Sequence, residues 1–120
     1  MRNWLSGEAR RIGNTARWSY EGWVSAWARE KSLRQWTLVN VLSVALSLVV
    51  EMTTGERALI YALGILVLAA EMMNTAIEEV VDYISEEIDP RAKRAKDAGS
   101  AVVALVAIAG GVAWAVVLLG

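Results

Sequence analysis

Apolar residues fall along this chain in three long blocks, separated by two short polar stretches and preceded by a leading segment of mixed character. The first block, "QWTLVNVLSVALSLVV" at 35–50, carries no charge. The second begins near Ala58, stays uncharged to Ala70, and continues with helical spacing through Glu71 and Glu78. The third, "AGSAVVALVAIAGGVAWAVVLLG" at 98–120, has no charge at all. A helix of about 20 apolar residues crosses a bilayer. The blocks therefore predict three spans, at about 32–51, 57–84 and 92–119, the second with a cytoplasmic extension. The first block is a little short, and Trp36 with snorkelling Lys31 or Arg34 extends it. Gly99, Gly110, Gly111 and the many Ala of the third block permit close helix approach.

The leading segment has a different period. Ile12, Ala16, Tyr20, Trp23, Val24 and Trp27 fall within about 120° of arc at a helical 100° per residue, with Arg10, Arg17, Glu21 and Ser25 opposite. Five of the six Trp lie in the first 36 residues, as suits rings held at headgroup level. This predicts an amphipathic helix at about 4–29 lying on the membrane surface, with Gly13 and Gly22 as points of bending. The pattern alone equally describes a plain anchor.

Composition narrows the chemistry. The chain of 120 residues is 56% hydrophobic and has no Cys and no His. That excludes disulfides, zinc sites of the ordinary kind and Ser-His-Asp or Cys-His catalysis. Any catalysis must use carboxylates, amides, hydroxyls, Lys, Arg or a metal held by oxygen. Basic residues cluster at 2–34 and 91–96, and only Arg57 lies elsewhere. This alternation with lipid-like runs fits a single membrane domain over 1–120 and argues against a nucleic-acid partner. The positive-inside rule places the N-terminus and the 84–97 loop in the cytoplasm and the C-terminus outside. The start of the chain lacks the compact apolar run and cleavage site of a removable signal peptide.

One feature conflicts with a lipid-facing second span. Glu71, Asn74, Thr75, Glu78 and Asp82 fall within roughly 100° on one helical face, while Met73, Ala76, Val80 and Tyr83 lie opposite. A carboxylate in hydrocarbon costs roughly 2.5–3.5 kcal/mol even on lenient insertion scales, so this stripe must face protein, metal or water. Three helices of one chain are expected to be too few to enclose it, which predicts a homo-oligomer. Two readings of the stripe stand: a site with a general base and oxygen ligands for a hard cation such as Mg²⁺, or a hydrogen-bond network joining helices. Lys96 and Asp97 open the third span, where four basic side chains and a helix N-terminus suit a nucleotide phosphate. Ordinary anchoring of a basic loop explains them as well. Glu30, at the junction of the surface helix and the first span, is unremarkable alone. No phosphate-binding Gly-rich loop of known type occurs.

The segment "AEMMNTAIEEVVD", followed by "RAKDAGSAV", resembles the small integral-membrane diacylglycerol kinases of bacteria. "WSYEGWVSAWARE" and "LRQ" resemble the same family, and the likeness runs from about Arg11 to Leu119. The resemblance implies an all-α membrane protein, a homotrimer of three-span subunits with a surface helix, in the inner membrane. It also implies transfer of the γ-phosphate of MgATP to the hydroxyl of diacylglycerol, giving phosphatidic acid at the cytoplasmic face. By the same resemblance Glu71 matches the general base at the lipid hydroxyl, and Asn74 and Thr75 match groups that orient it or the γ-phosphate. Glu30 and Glu78 match the carboxylates that hold the metal on ATP. Lys96 and Asp97 match nucleotide-site residues, and Arg11 and Ser19 match surface-helix positions over the ATP site. Ser100 and Trp114 match positions that contact the lipid. Trp36 departs from the acidic residue of close relatives. "DPRAKRAKD" also resembles the loop of the related undecaprenol kinases, which are the alternative within this chemistry. A small oligomeric membrane transporter is the alternative outside it.

Overall fold

In a computed structural model, which describes residues 2–120, the chain forms four helices: α1 (Arg2–Arg29), α2 (Lys31–Ser47), α3 (Thr54–Ile84) and α4 (Pro90–Leu119). There is no strand among the described residues. The long antiparallel pair α3/α4 forms the body, α2 packs against α3, and α1 touches α2 and α3 only lightly.

Local chemistry sets the boundaries. α3 starts three residues earlier than the hydropathy pattern predicts. Thr53 Oγ1 accepts from the Glu56 backbone N–H at 3.1 Å, and the Glu56 carboxylate accepts from the Thr53 N–H at 2.9 Å. This capping box satisfies two donors that a helix end leaves open. α4 starts at Pro90, whose fixed φ suits the first helical position. Asp89 caps it, accepting from the Arg91 N–H at 2.7 Å. The Arg91 side chain also closes on this carboxylate at 3.0 Å, and the two bonds together hold the Asp89 carboxyl below the usual aspartate range.

α2 ends at Ser47, short of the predicted residue 51. Ser47 is fully buried. Its Oγ lies 2.6 Å from the Val44 carbonyl and 2.7 Å from Tyr61 Oη, and the Arg57 guanidinium donates to its carbonyl at 2.5 Å. The Arg57 side chain of α3 thus takes over the carbonyl with which α2 would continue, and the chain turns through Leu48–Val50. The first apolar block thus forms a shorter helix than the expected bounds of about 32–51. By length and apolarity two helices, α3 and α4, are each sufficient to cross a membrane. α2, at 17 residues, reaches about 25 Å at 1.5 Å per residue, against a hydrocarbon core of about 30 Å.

The core is small. Val67, Ala70 and Val103 are buried at the α3/α4 seam, with Trp36, Leu68, Val106 and Ala107 against them. Trp36, which departs from the resembled pattern, is therefore a packing residue here. Two polar staples tie α2 to its neighbours. Asn40 Nδ2 donates to the Gly64 carbonyl at 3.1 Å, and Trp114 Nε1 donates to Ser43 Oγ at 2.8 Å. A Cβ on Gly64 would collide with the Asn40 amide, so a larger residue here would displace that side chain and its bond to the Gly64 carbonyl. Most large apolar side chains point outward, among them Leu42, Ile65, Leu105, Val116 and Leu119. A water-soluble monomer rarely shows so continuous an apolar surface. The exterior of this all-helical bundle fits a membrane.

Candidate active site

The site lies where the middle of α3 meets the N-terminal third of α4 and the α1/α2 junction. Glu71 and Thr75 are buried within a single chain, at 5% and 7% exposure. Asn74 and Glu78 are only half-buried and Asp82 is exposed, so one chain encloses the upper part of the stripe and leaves its cytoplasmic part open. Thr75 Oγ1 donates to the Glu71 carbonyl at 3.0 Å, which fixes its rotamer on the helix. Asn74 Nδ2 donates to Glu78 Oε1 at 3.2 Å. Glu78 can only accept, so the amide orientation follows from the pairing. The other amide atom, Asn74 Oδ1, is buried and has no partner. It faces Gly99, where an added Cβ would stand 2.5 Å from it.

Glu30 enters from the α1/α2 junction. Its backbone is extended (φ −107°, ψ 104°), it occupies the N-cap position of α2, and its side chain makes no cap hydrogen bond. The carboxylate is therefore free for other use. Both Glu78 and Glu30 lie close enough to Glu71 to act on it electrostatically. The structure thus gathers Glu30, Glu71, Asn74, Thr75 and Glu78.

Other expected site residues are placed differently. Lys96 Nζ bonds Asp82 Oδ1 at 2.6 Å, joining α4 to the cytoplasmic end of the stripe. Asp97 pairs with Lys93 at 2.5 Å, one turn back on its own helix. Both flank the site with their charges already engaged. Arg11 is exposed and paired with Glu8, and Ser19 donates to the Thr15 carbonyl at 2.8 Å. They are roughly 27 Å and 15 Å from Arg29 along α1, so a single chain does not bring them to Glu71. The reason is that α1 is one unbroken helix leaving the bundle at its C-terminal end. Ser100 is exposed beside Gly99. Trp114 lies roughly 21 Å farther along α4, beside an apolar cavity of about 230 Å³ that it lines with Asn40, Ser43, Gly64 and Gly110.

Two contacts were missed by pattern reasoning. Arg29 Nη1 pairs with Glu79 Oε1 at 2.7 Å, and Lys96 with Asp82. Helical spacing marks each residue as charged and surface-facing but cannot pair residues on different helices. The donor set also limits the metal. Among the described residues no three acidic groups converge as a cage. Carboxylates such as Glu30 and Glu78 are of the oxygen-donor type that suits a hard cation bringing its remaining ligands on phosphate and water.

The sequence as a whole is similar to known proteins. Residues 17–118 match the family described as prokaryotic diacylglycerol kinase. The chain belongs to that family. It is 42% identical over 113 residues to a diacylglycerol kinase of Pseudomonas aeruginosa, covering 92% of this chain and 90% of that protein. It is 34% identical over 108 residues to the diacylglycerol kinase of Escherichia coli K12, covering 90% and 88%. A Haemophilus influenzae diacylglycerol kinase is 32% identical over 105 residues, covering 88% and 89%. The chain is a kinase, and the transporter reading falls away.

Proposed function

We propose that this kinase transfers the γ-phosphate of MgATP to the hydroxyl of diacylglycerol, forming phosphatidic acid at the cytoplasmic face of a bacterial inner membrane. The observation that carries the reading is the cluster of Glu71, Asn74 and Glu78 on α3 with Glu30 opposite. Glu71 sits in the apolar zone, where a lipid hydroxyl arrives, and accepts its proton as the oxygen attacks phosphorus. Glu78, about two turns nearer the cytoplasm, would with Glu30 hold a magnesium ion carried by the nucleotide, which when bound would supply the charge neutralisation that phosphoryl transfer requires. Asn74 keeps Glu78 in place through Nδ2, and its unpartnered Oδ1 remains available as an acceptor within the site. Thr75 orients the turn that carries Glu71.

Lys96 exchanges Asp82 for phosphate when ATP binds, and Asp97 meets the sugar or adenine side. Ser100 and Trp114 contact the lipid, Ser100 near the glycerol and Trp114 along an acyl chain beside the apolar cavity. We propose a homotrimer of three-span subunits, with the N-terminus cytoplasmic and the C-terminus outside. The outward apolar faces support it, as does the distance of Arg11 and Ser19 from Glu71. In the assembly α1 lies over a site and brings those two residues to ATP.

The test is phosphate transfer from radiolabelled MgATP by protein in mixed micelles, with diacylglycerol and undecaprenol as acceptors in parallel. Phosphatidic acid is the expected product. Clear transfer to undecaprenol alone, the acceptor suggested by "DPRAKRAKD", would reassign the substrate. Replacing Glu30 or Glu78 by Gln raises the Mg²⁺ concentration needed for half-maximal rate; an unchanged titration in both removes the metal assignment.

A further inference from the structure

Glu30 reaches the site from a junction that has no regular hydrogen-bonded frame. It lies between two helices in an extended conformation, and its side chain does not cap α2. Something else must fix the angle at which α1 leaves the bundle, because that angle sets where the Glu30 carboxylate points. Two arginines do so. Arg29, the last residue of α1, pairs with Glu79 on α3 at 2.7 Å. Arg34, in the first turn of α2, reaches back across the junction and donates to the Trp27 carbonyl. That carbonyl belongs to the last turn of α1, which a helix end leaves without an internal partner. The backbone N–H of Glu30 closes the turn on the Ala26 carbonyl at 2.7 Å, and Ala26 is buried beneath it.

Glu79 has no part in the polar stripe. It follows Glu78 directly and therefore points about 100° away around α3, toward α1. Adjacent carboxylates thus divide the work: Glu78 faces the nucleotide side and Glu79 faces α1. Each helix contributes a neighbouring pair, Arg29 with Glu30 and Glu79 with Glu78. The contact between the outer members registers the inner members against each other. Because α1 otherwise touches α3 lightly, one ion pair can decide the angle.

We propose that Arg29, Glu79 and Arg34 form an electrostatic latch that locks the α1/α2 elbow and holds Glu30 at a fixed distance from Glu78. Arg29 and Glu79 are positioning residues that act through Glu30, and this rests on the reading of Glu30 and Glu78 as a metal pair. The Arg29–Glu79 pair is about half exposed at both ends. Exposed pairs of this kind couple weakly, so the effect is an adjustment of metal affinity rather than loss of the fold.

The experiment uses full-length protein in lipid-containing micelles. Arg29→Ala and Glu79→Ala each raise the Mg²⁺ concentration for half-maximal rate about two- to fivefold, with the KM for lipid unchanged. The double variant is no worse than either single one, and the exchanged pair Arg29→Glu with Glu79→Arg restores the wild-type titration. Added salt narrows the gap between wild type and single variants, since it screens an exposed pair. The cysteine-free chain permits spin labels at introduced cysteines, one at Gly22 on α1 and one at Leu105 on α4, in subunits diluted with unlabelled protein. The distance distribution broadens in both single variants and narrows again in the exchanged pair. Unchanged distances overturn the latch. If distances change but neither these variants nor Glu30→Gln alters the Mg²⁺ titration, the latch stands as a lock on the elbow and the metal-pair reading fails. Distances and the Glu30→Gln titration that change while the Arg29→Ala and Glu79→Ala titrations do not would overturn the positioning role.

Discussion

Replacing Gly99 by Ala tests the site most directly, because it changes a single methyl group on the helix facing Asn74. The new Cβ would stand 2.5 Å from Asn74 Oδ1 and 3.3 Å from Ile77 Cδ1. The first contact is about 0.9 Å inside ordinary van der Waals distance. Either α4 retreats from the best-packed seam of the molecule or Asn74 turns away. Retreat carries the usual overpacking cost of about 1–3 kcal/mol. Turning away breaks the 3.2 Å bond to Glu78, and hydrogen bonds to charged groups contribute about 1.5–3 kcal/mol. The side chain gives more readily than two long helices, so the loss falls mainly on the site. Carried into the transition state, that range lowers turnover by about ten- to a hundredfold. The assay is steady-state phosphate transfer alongside thermal unfolding in the same detergent. A variant that also carries Asn74→Ala, which removes the clash, should be no slower than Asn74→Ala alone. Wild-type turnover and Mg²⁺ dependence in Gly99→Ala would refute the reasoning.

Three further outcomes are expected. Glu71→Gln retains assembly in size-exclusion chromatography with light scattering but loses at least about a hundredfold in turnover, as removal of a general base does; a near-wild-type rate takes Glu71 out of the base role. Ser47→Ala removes the hydroxyl that links α2 to Tyr61 and lowers unfolding stability by about 0.5–1.5 kcal/mol, with an unchanged melting midpoint as the contrary result. The Asp89 carboxyl is held down by Arg91, so its contribution to the start of α4 is complete above the unfolded aspartate value of about 3.9 and fades as pH falls through its lower folded value. An NMR titration of that carboxyl with a midpoint at or above the unfolded value would rule out the pairing.

Periodicity was sufficient to place Glu71, Asn74, Thr75 and Glu78 on one face, because neighbours on a helix are fixed by its pitch. It also gave the helices themselves, with α1 and α4 differing by only two residues at their starts. It could not give the end of α2, which depends on Arg57 and Tyr61 reaching it from α3. Nor could it show that Glu71 is already enclosed in one chain, because that depends on how closely α4 approaches. Gly99 was legible as a small residue, but its partner Asn74 was not. The family likeness supplied roles for Glu30, Lys96 and Arg11 that spacing alone could not assign. The structure brought Glu30 in, left Lys96 bound to Asp82, and kept Arg11 on the far part of α1.

The shortness of α2 links chemistry to the thickness of the host bilayer. From Thr54 to Glu71 the rise along α3 is also about 25 Å, nearly the length of α2 itself. When the outer ends of the two helices are anchored at the same interface, the inner end of α2 and the carboxylate of Glu71 arrive at one depth. A hydrocarbon layer of about 30 Å must thin to bring that depth to the headgroups, at a fraction of a kcal/mol per Å. The Glu71 carboxylate therefore rides on an elastic boundary, and bilayers of shorter-chain lipids should bring the headgroup level to it.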